Sequence, residues 1–229
     1  MFNKKPVSSE KAGFWRKWRL EMIAIVDYGM GNLRSVQKGF ERVDVAAIIT
    51  DDANKLATAD AIVLPGVGAF SAAMRRLEEA NLIEAIRRAI DAGKPYLGIC
   101  LGLQLLFTES EEGGRNLGLD IIPGKVVRFP AGLKVPHIGW NEIDIKKEIS
   151  ILKDIPQKSY LYFVHSYYVV PDDPSVIAAT TNYGIDFTSI IHKDNVFATQ
   201  CHPEKSQTLG LRILRGFGLL ALSEAKKRR

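Results

Sequence analysis

Two short stretches of this chain hold residues able to do chemistry together. One is Gly98-Ile99-Cys100-Leu101-Gly102, a cysteine set between glycines; the other is His202-Pro203-Glu204 near the C-terminal end. The apolar run Pro95-Tyr96-Leu97 leads into the first, and Leu103-Gln104-Leu105-Leu106-Phe107, of helical character, follows it. A strand, a nucleophile between glycines and a helix describe a nucleophile elbow, a turn too sharp for bulky neighbours. At a helix N-terminus, unpaired N–H groups and the helix dipole stabilise a thiolate. Taken alone, the motif also suits a buried cysteine in a tight turn.

A cysteine nucleophile needs a base within hydrogen-bond reach and a third group to orient that base. His202 and Glu204 supply both, directly after the strand-like run Asn195-Val196-Phe197-Ala198-Thr199. Pro203 is expected to hold the backbone extended. Residues two apart then project to one side, so His202 and Glu204 should face one site. A lone histidine at a strand end reads as structural; this trio reads as a triad. Thiolate attack on an amide builds a tetrahedral oxyanion that requires pre-placed N–H donors. The glycine-rich strand end Leu64-Pro65-Gly66-Val67-Gly68-Ala69-Phe70 and the Leu101 N–H are candidates. A phosphate loop would need a third glycine or a Gly-Lys-Ser/Thr ending, and neither is present.

The elements that must position these groups alternate. Ile23-Ala24-Ile25-Val26, Val45-Ala46-Ala47-Ile48-Ile49, Ala61-Ile62-Val63-Leu64 and residues 95–99 read as strands. Their uninterrupted apolar character suits strands covered on both faces. Helical spacing runs from Gly31 to Arg42, and one long helix is expected between Phe70 and Ala92. This alternation predicts an α/β fold with an open, mainly parallel, doubly wound sheet whose ligands gather at the carboxyl ends of the strands. Past residue 120 the runs 125–129, 160–164, 168–170 and 176–180 are separated by turn residues, which predicts an additional antiparallel region beside the main sheet. An amphipathic helix is expected from about Leu209 to Ala225.

Composition narrows the classes. With 229 residues, 46% of them hydrophobic, the chain can bury the core of one domain. Two cysteines, Cys100 and Cys201, argue against a disulfide framework and for a reducing, cytoplasmic setting. No apolar run approaches the roughly 20 residues that span a bilayer. The net charge of +5 is terminal: residues 1–21 and the tail 226–229 carry +4 each, which leaves residues 22–225 at −3. A nucleic-acid-binding face is therefore not expected. Residues 1–21 read as a basic extension, either disordered or the product of an upstream start codon before Met22. Phe14-Trp15-Arg16-Lys17-Trp18-Arg19-Leu20 within them has the pattern of a membrane-grazing or partner-docking segment.

The combination of Pro65-Gly66-Val67-Gly68, Gly98-Ile99-Cys100-Leu101-Gly102-Leu103-Gln104 and His202-Pro203-Glu204-Lys205-Ser206 resembles the class I (triad) glutamine amidotransferases. Three further segments are similar to the glutaminase subunits of imidazole glycerol phosphate synthase: residues 25–33, Pro136-His137-Ile138-Gly139-Trp140-Asn141 and Tyr162-Phe163-Val164-His165-Ser166-Tyr167. The resemblance covers residues 22–225. It implies a flavodoxin-like amidotransferase domain, no cofactor and no metal. Cys100 would attack the glutamine carboxamide, His202 act as base and then acid, and Glu204 orient His202. Val67 and Leu101 would form the oxyanion hole. Gly66, Gly68, Gln104, Glu112, Ser166 and Tyr167 would bind the substrate. Asn32, Trp140, Tyr162 and Lys205 would meet a (βα)₈-barrel cyclase subunit. That subunit would turn the ammonia into imidazole glycerol phosphate and an aminoimidazole carboxamide ribotide, in histidine biosynthesis.

Read without the resemblance, Trp140 suits a core aromatic, Tyr162 and Tyr167 ordinary strand positions, Lys205 a solvated charge and Glu112 a free loop carboxylate. Cys201 departs from the family pattern, where phenylalanine precedes the His-Pro-Glu; it is expected to point away from the site, with no disulfide to Cys100. Rival readings are a cysteine-elbow hydrolase, a binding protein on a degenerate scaffold, and a glutaminase serving another synthase. Residues 136–141 distinguish the last.

Overall fold

The computed structural model describes residues 23–228. The expectations for residues 1–21 and for a start at Met22 lie outside the described residues. The first half alternates as expected: β1 (Ile23–Val26), α1 (Leu33–Glu41), β2 (Ala47–Thr50), α2 (Ala53–Thr58), β3 (Ala61–Gly66), α3 (Phe70–Glu79), α4 (Ile83–Asp91), β4 (Tyr96–Cys100) and the single turn α5 (Leu101–Gln104). The second half is mostly strand: β5 (Phe107–Ser110), β6 (Asn116–Leu117), β7 (Ile122–Arg128), β8 (His137–Glu142), β9 (Asp144–Ile145), β10 (Tyr160–His165), β11 (Tyr167–Pro171), β12 (Ile177–Asn182), β13 (Asp186–Lys193) and β14 (Val196–Thr199). It closes with α6 (Gln207–Arg228).

Strands β2, β1, β3, β4 and β14 lie side by side and parallel. Side chains of β1 alternate between two apolar layers. Ala24 and Val26 join Ile62, Leu64, Phe70, Leu77 and Ile86 on the α3–α4 face, while Ile23 and Ile25 join Val63, Phe40, Ile213 and Phe217 on the α1–α6 face. Burial on both faces is why these strands read as continuous apolar runs. The antiparallel region extends the main sheet rather than lying beside it: β13 pairs with β14, β11 with β13 and β7 with β11. Among the described residues, only β8 and β10 form a separate two-stranded ribbon.

Three helix expectations also change. The long helix over 70–92 is two helices, because Asn81 adopts φ 55° and ends α3. The Asn81 N–H donates to the Glu78 carbonyl and the Leu82 N–H to the Leu77 carbonyl, the paired bonds of a left-handed helix stop. The helix expected over residues 103–107 stops at Gln104, and Phe107 opens β5. There the Leu105 and Leu106 carbonyls accept from Leu119, Ile121 and Ile122 N–H groups, so a distant segment takes the bonds the next helical turn would use. The C-terminal helix begins at Gln207 and runs to Arg228, into the basic tail.

Candidate active site

Cys100 is the hinge of the elbow. It ends β4 and leads into α5 with φ 55° and ψ −107°, a conformation that strains any residue with a Cβ. The flanking glycines serve packing, not the turn angle. A Cβ on Gly102 would lie 1.8 Å from the Leu64 carbonyl oxygen, and one on Gly98 2.6 Å from that of Gly102. Two buried tyrosines pin the elbow helix and the neighbouring strand end. The Tyr96 hydroxyl donates to the Gly102 carbonyl at 3.3 Å, and the Tyr28 hydroxyl to the Pro65 carbonyl at 3.1 Å. Burial raises both phenols above their ordinary range.

Neighbouring strands bring the remaining groups to the same sheet end. Gly66 of β3 stands opposite Cys100, and Thr199 of β14 opposite Ile99. Beyond β14, His202 is locked in place: its N–H donates to the Tyr162 carbonyl at 2.8 Å and its carbonyl accepts from Ser206 Oγ at 2.7 Å. His202 Nδ1 lies 2.8 Å from Glu204 Oε1, both side chains almost wholly buried. The pairing does not arise from an extended segment, as the sequence suggested. Pro203 opens a 3-10 turn, Pro203–Lys205, since its fixed φ suits the first position of a helical turn. Burial works against a charged imidazole here, but the Cys100 sulfur and the Glu204 carboxylate outweigh it and push His202 up to about 9. His202 Nε2 is buried and makes no hydrogen bond among the described residues, which leaves that nitrogen free to exchange a proton.

A cleft of about 380 Å³ opens over Cys100 and is lined by Val67, Gly68, Leu101, Gln104, Glu112, Ser166 and Tyr167. Gly66 is not at its surface; a Cβ there would strike the Tyr28 hydroxyl at 2.4 Å, so its requirement is close packing. Lys205, expected at a partner surface, also lines the cleft. Glu112 is no free loop carboxylate: its Oε2 accepts from the Phe70 N–H at 2.7 Å and caps α3, which has no cap from its own Ala69. Gln104 Nε2 donates to the Tyr167 carbonyl at 3.0 Å. Chemically, the cleft exposes a strained cysteine that interacts with a carboxylate-oriented imidazole, beside the Val67, Gly68 and Leu101 backbone. Those are the parts of acyl transfer through a thioester.

Residues 24–219 match the family described as Glutamine amidotransferase class-I. The "Imidazole glycerol phosphate synthase subunit HisH" of Syntrophotalea carbinolica is 58% identical over 204 residues, covering 86% of this chain and 99% of that one. The protein of the same name from Aquifex aeolicus is 54% identical over 194 residues, covering 84% and 94%. The chain belongs to the class I glutamine amidotransferases, in the HisH family. Among solved structures, a glutamine amidotransferase superposes on it with a TM-score of 0.69 at 19% identity, covering 86% of this chain and 98% of that one. PurLQS from Thermotoga maritima does so at 0.66 and 17%, covering 89% and 98%. At such identity these two establish the amidotransferase fold.

Elsewhere on this amidotransferase, Trp140 is 46% exposed, which overturns its reading as a core aromatic. It stands opposite Tyr162 across the β8–β10 ribbon, ring centroids 6.0 Å apart and nearly perpendicular. Lys205 Nζ sits 5.9 Å above the Tyr162 ring. Ile138 and Tyr160, 59% and 55% exposed, extend this apolar surface and were not singled out in the sequence. Asn32 is exposed and caps α1 through a bond from the Ser35 N–H. Cys201 is fully buried, with its sulfur against Thr199 Oγ1 at 2.7 Å; burial pushes its thiol up to about 12, and both cysteines are free. Among the described residues no helix is long and apolar enough to cross a membrane.

Proposed function

We propose that this protein hydrolyses L-glutamine at Cys100 and delivers the ammonia to a synthase partner. His202 takes the thiol proton as the Cys100 sulfur attacks the side-chain carboxamide carbon, and the carbonyl oxygen takes up the negative charge near the Val67 and Leu101 N–H groups. His202, steadied by Glu204, gives a proton to the departing ammonia. A glutamyl thioester remains on Cys100. His202 then takes a proton from water as it attacks that thioester, and glutamate leaves. Gln104, Glu112 and Gly68 meet the substrate's polar groups, while the Ser166–Tyr167 backbone meets its α-carboxylate. The observation that carries this reading is the strained Cys100 in the wall of one cleft, with the carboxylate-bound imidazole of His202 acting on its sulfur.

The partner is the cyclase subunit of imidazole glycerol phosphate synthase, a (βα)₈ barrel, as the relatives' name as a synthase subunit suggests. It docks on the exposed ribbon face bearing Trp140 and Tyr162, with Asn32 and Lys205 at the margin, and the complex works in the cytoplasm. Unpartnered aromatic surface of this kind is typical of interface centres. The test is synthesis of imidazole glycerol phosphate in the reconstituted complex. Cys100→Ala should abolish the glutamine-dependent reaction and leave synthesis from ammonium salts intact. Full glutaminase activity of the isolated chain, unaffected by the cyclase and its nucleotide, would count against a subunit gated by its partner.

A further inference from the structure

Gln200 was not singled out in the sequence, yet its carboxamide hydrogen-bonds the Cys100 sulfur through nitrogen: Nε2 lies 3.6 Å from Cys100 Sγ. It is fully buried and follows Thr199, the residue paired with Ile99, so the sheet register sets it beside Cys100. The neighbours dictate which end of the amide faces the sulfur. The Tyr167 carbonyl only accepts, so the Gln104 group 3.0 Å from it is the NH₂. That NH₂ also reaches Gln200 Oε1 at 3.1 Å, which leaves the Gln200 NH₂ for Sγ.

A second line of donors holds the same carbonyl. His165 Nδ1 is 2.8 Å from it and must carry hydrogen, so His165 Nε2 accepts from His137 Nδ1 at 3.1 Å, and His137 Nε2 from Asn141 Nδ2 at 3.3 Å. On its other side the sulfur meets the Val164 carbonyl at 3.9 Å. A thiol can donate to Val164 and accept from Gln200; a thiolate loses the Val164 bond and keeps the Gln200 N–H, beside the charge of His202. We infer that Gln200 is a further member of the reacting centre, whose N–H holds the Cys100 sulfur in its anionic form against the Val164 carbonyl. Gln104, oriented by the Tyr167 carbonyl, determines which end of the Gln200 amide is presented.

The inference rests on Cys100 being the nucleophile, and its test separates the two. Alkylation of Cys100 by iodoacetamide in the full-length protein, followed by mass spectrometry of the Cys100 peptide, reads sulfur reactivity without glutamine. Gln200→Met keeps the bulk and removes the donor, and is expected to slow alkylation about tenfold. Gln200→Glu keeps the acceptor for Gln104 but sets a carboxylate against the sulfur; it is expected to slow alkylation about a hundredfold. In the reconstituted complex both should lower kcat by similar factors with KM within about twofold. A packing role alone would move the melting temperature and leave Cys100 reactivity, per folded molecule, within twofold of wild type; that result overturns the proposal. Should Gln200→Glu fail to fold, Gln200→Met decides on the same criterion. Slowed alkylation in a protein that never hydrolyses glutamine would overturn the functional reading and leave the role of Gln200 standing.

Discussion

The four histidines of this chain divide by environment, and the division sets how stability responds to pH. Burial lowers His165 to about 3 and His137 to about 4, and lowers His192 as well, whereas its partners raise His202 to about 9. A histidine whose folded value is depressed contributes stability that is present above its unfolded value near 6.5 and lost as pH falls toward the folded value. For His202 the sign reverses: its contribution is complete below about 6.5 and is lost as pH rises toward 9. Stability should therefore peak near pH 6.5. Urea unfolding between pH 6.5 and about 5.5, above the range where exposed carboxylates titrate, should show a decline with proton uptake on unfolding. A flat profile there would mean that His137 and His165 are not held neutral. Only His202 announced itself in sequence, through its spacing from Glu204. The His137–His165 pair faces across the β8–β10 ribbon, and that pairing is long-range.

Among the elements, the elbow is held by contact between strands more than by propensity. Gly102 has nowhere to place a Cβ, because the Leu64 backbone on β3 occupies the position. Gly102→Ala should destabilise the fold by about 3 kcal/mol or more, since the colliding atom is backbone and cannot rotate away. For a domain of this size that is a drop in Tm of roughly 6–12 °C. Gly113→Ala is the control: φ is 70° with no atom within 4 Å, so it should cost about 1 kcal/mol of backbone strain. Differential scanning calorimetry of the two variants separates collision from strain, and equal losses would remove the packing account of Gly102. The elements of the first half were legible because apolar runs and helical spacing persist along them. Helix ends were less so: Asn81 is a residue that tolerates the left-handed stop, but Phe107 joins a strand only because distant carbonyl and amide groups meet it.

At the scale of the molecule, one carboxyl end of the parallel strands collects the cleft, while the β8–β10 ribbon stands off the main sheet with Trp140 and Ile138 outward. If this face receives the synthase partner, Trp140→Ala should weaken the complex by about 2 kcal/mol, roughly thirtyfold. Isothermal titration against the cyclase subunit measures this, and the Tm of the isolated chain should stay within about 2 °C because Trp140 is half exposed. Unchanged affinity would move the docking face elsewhere.

By itself, the sequence determined the chemistry and the architecture class. The types and order of Cys100, His202 and Glu204, the glycines beside them and the apolar runs are local properties that spacing preserves. Tertiary structure alone decided what surrounds the sulfur. Gln200 faces Cys100 because β14 lies beside β4, Glu112 caps a helix 42 positions earlier, and Trp140 is exposed because its ribbon leaves the sheet. Hydrogen bonds and packing between residues distant in sequence follow from strand order and register, which local spacing does not encode.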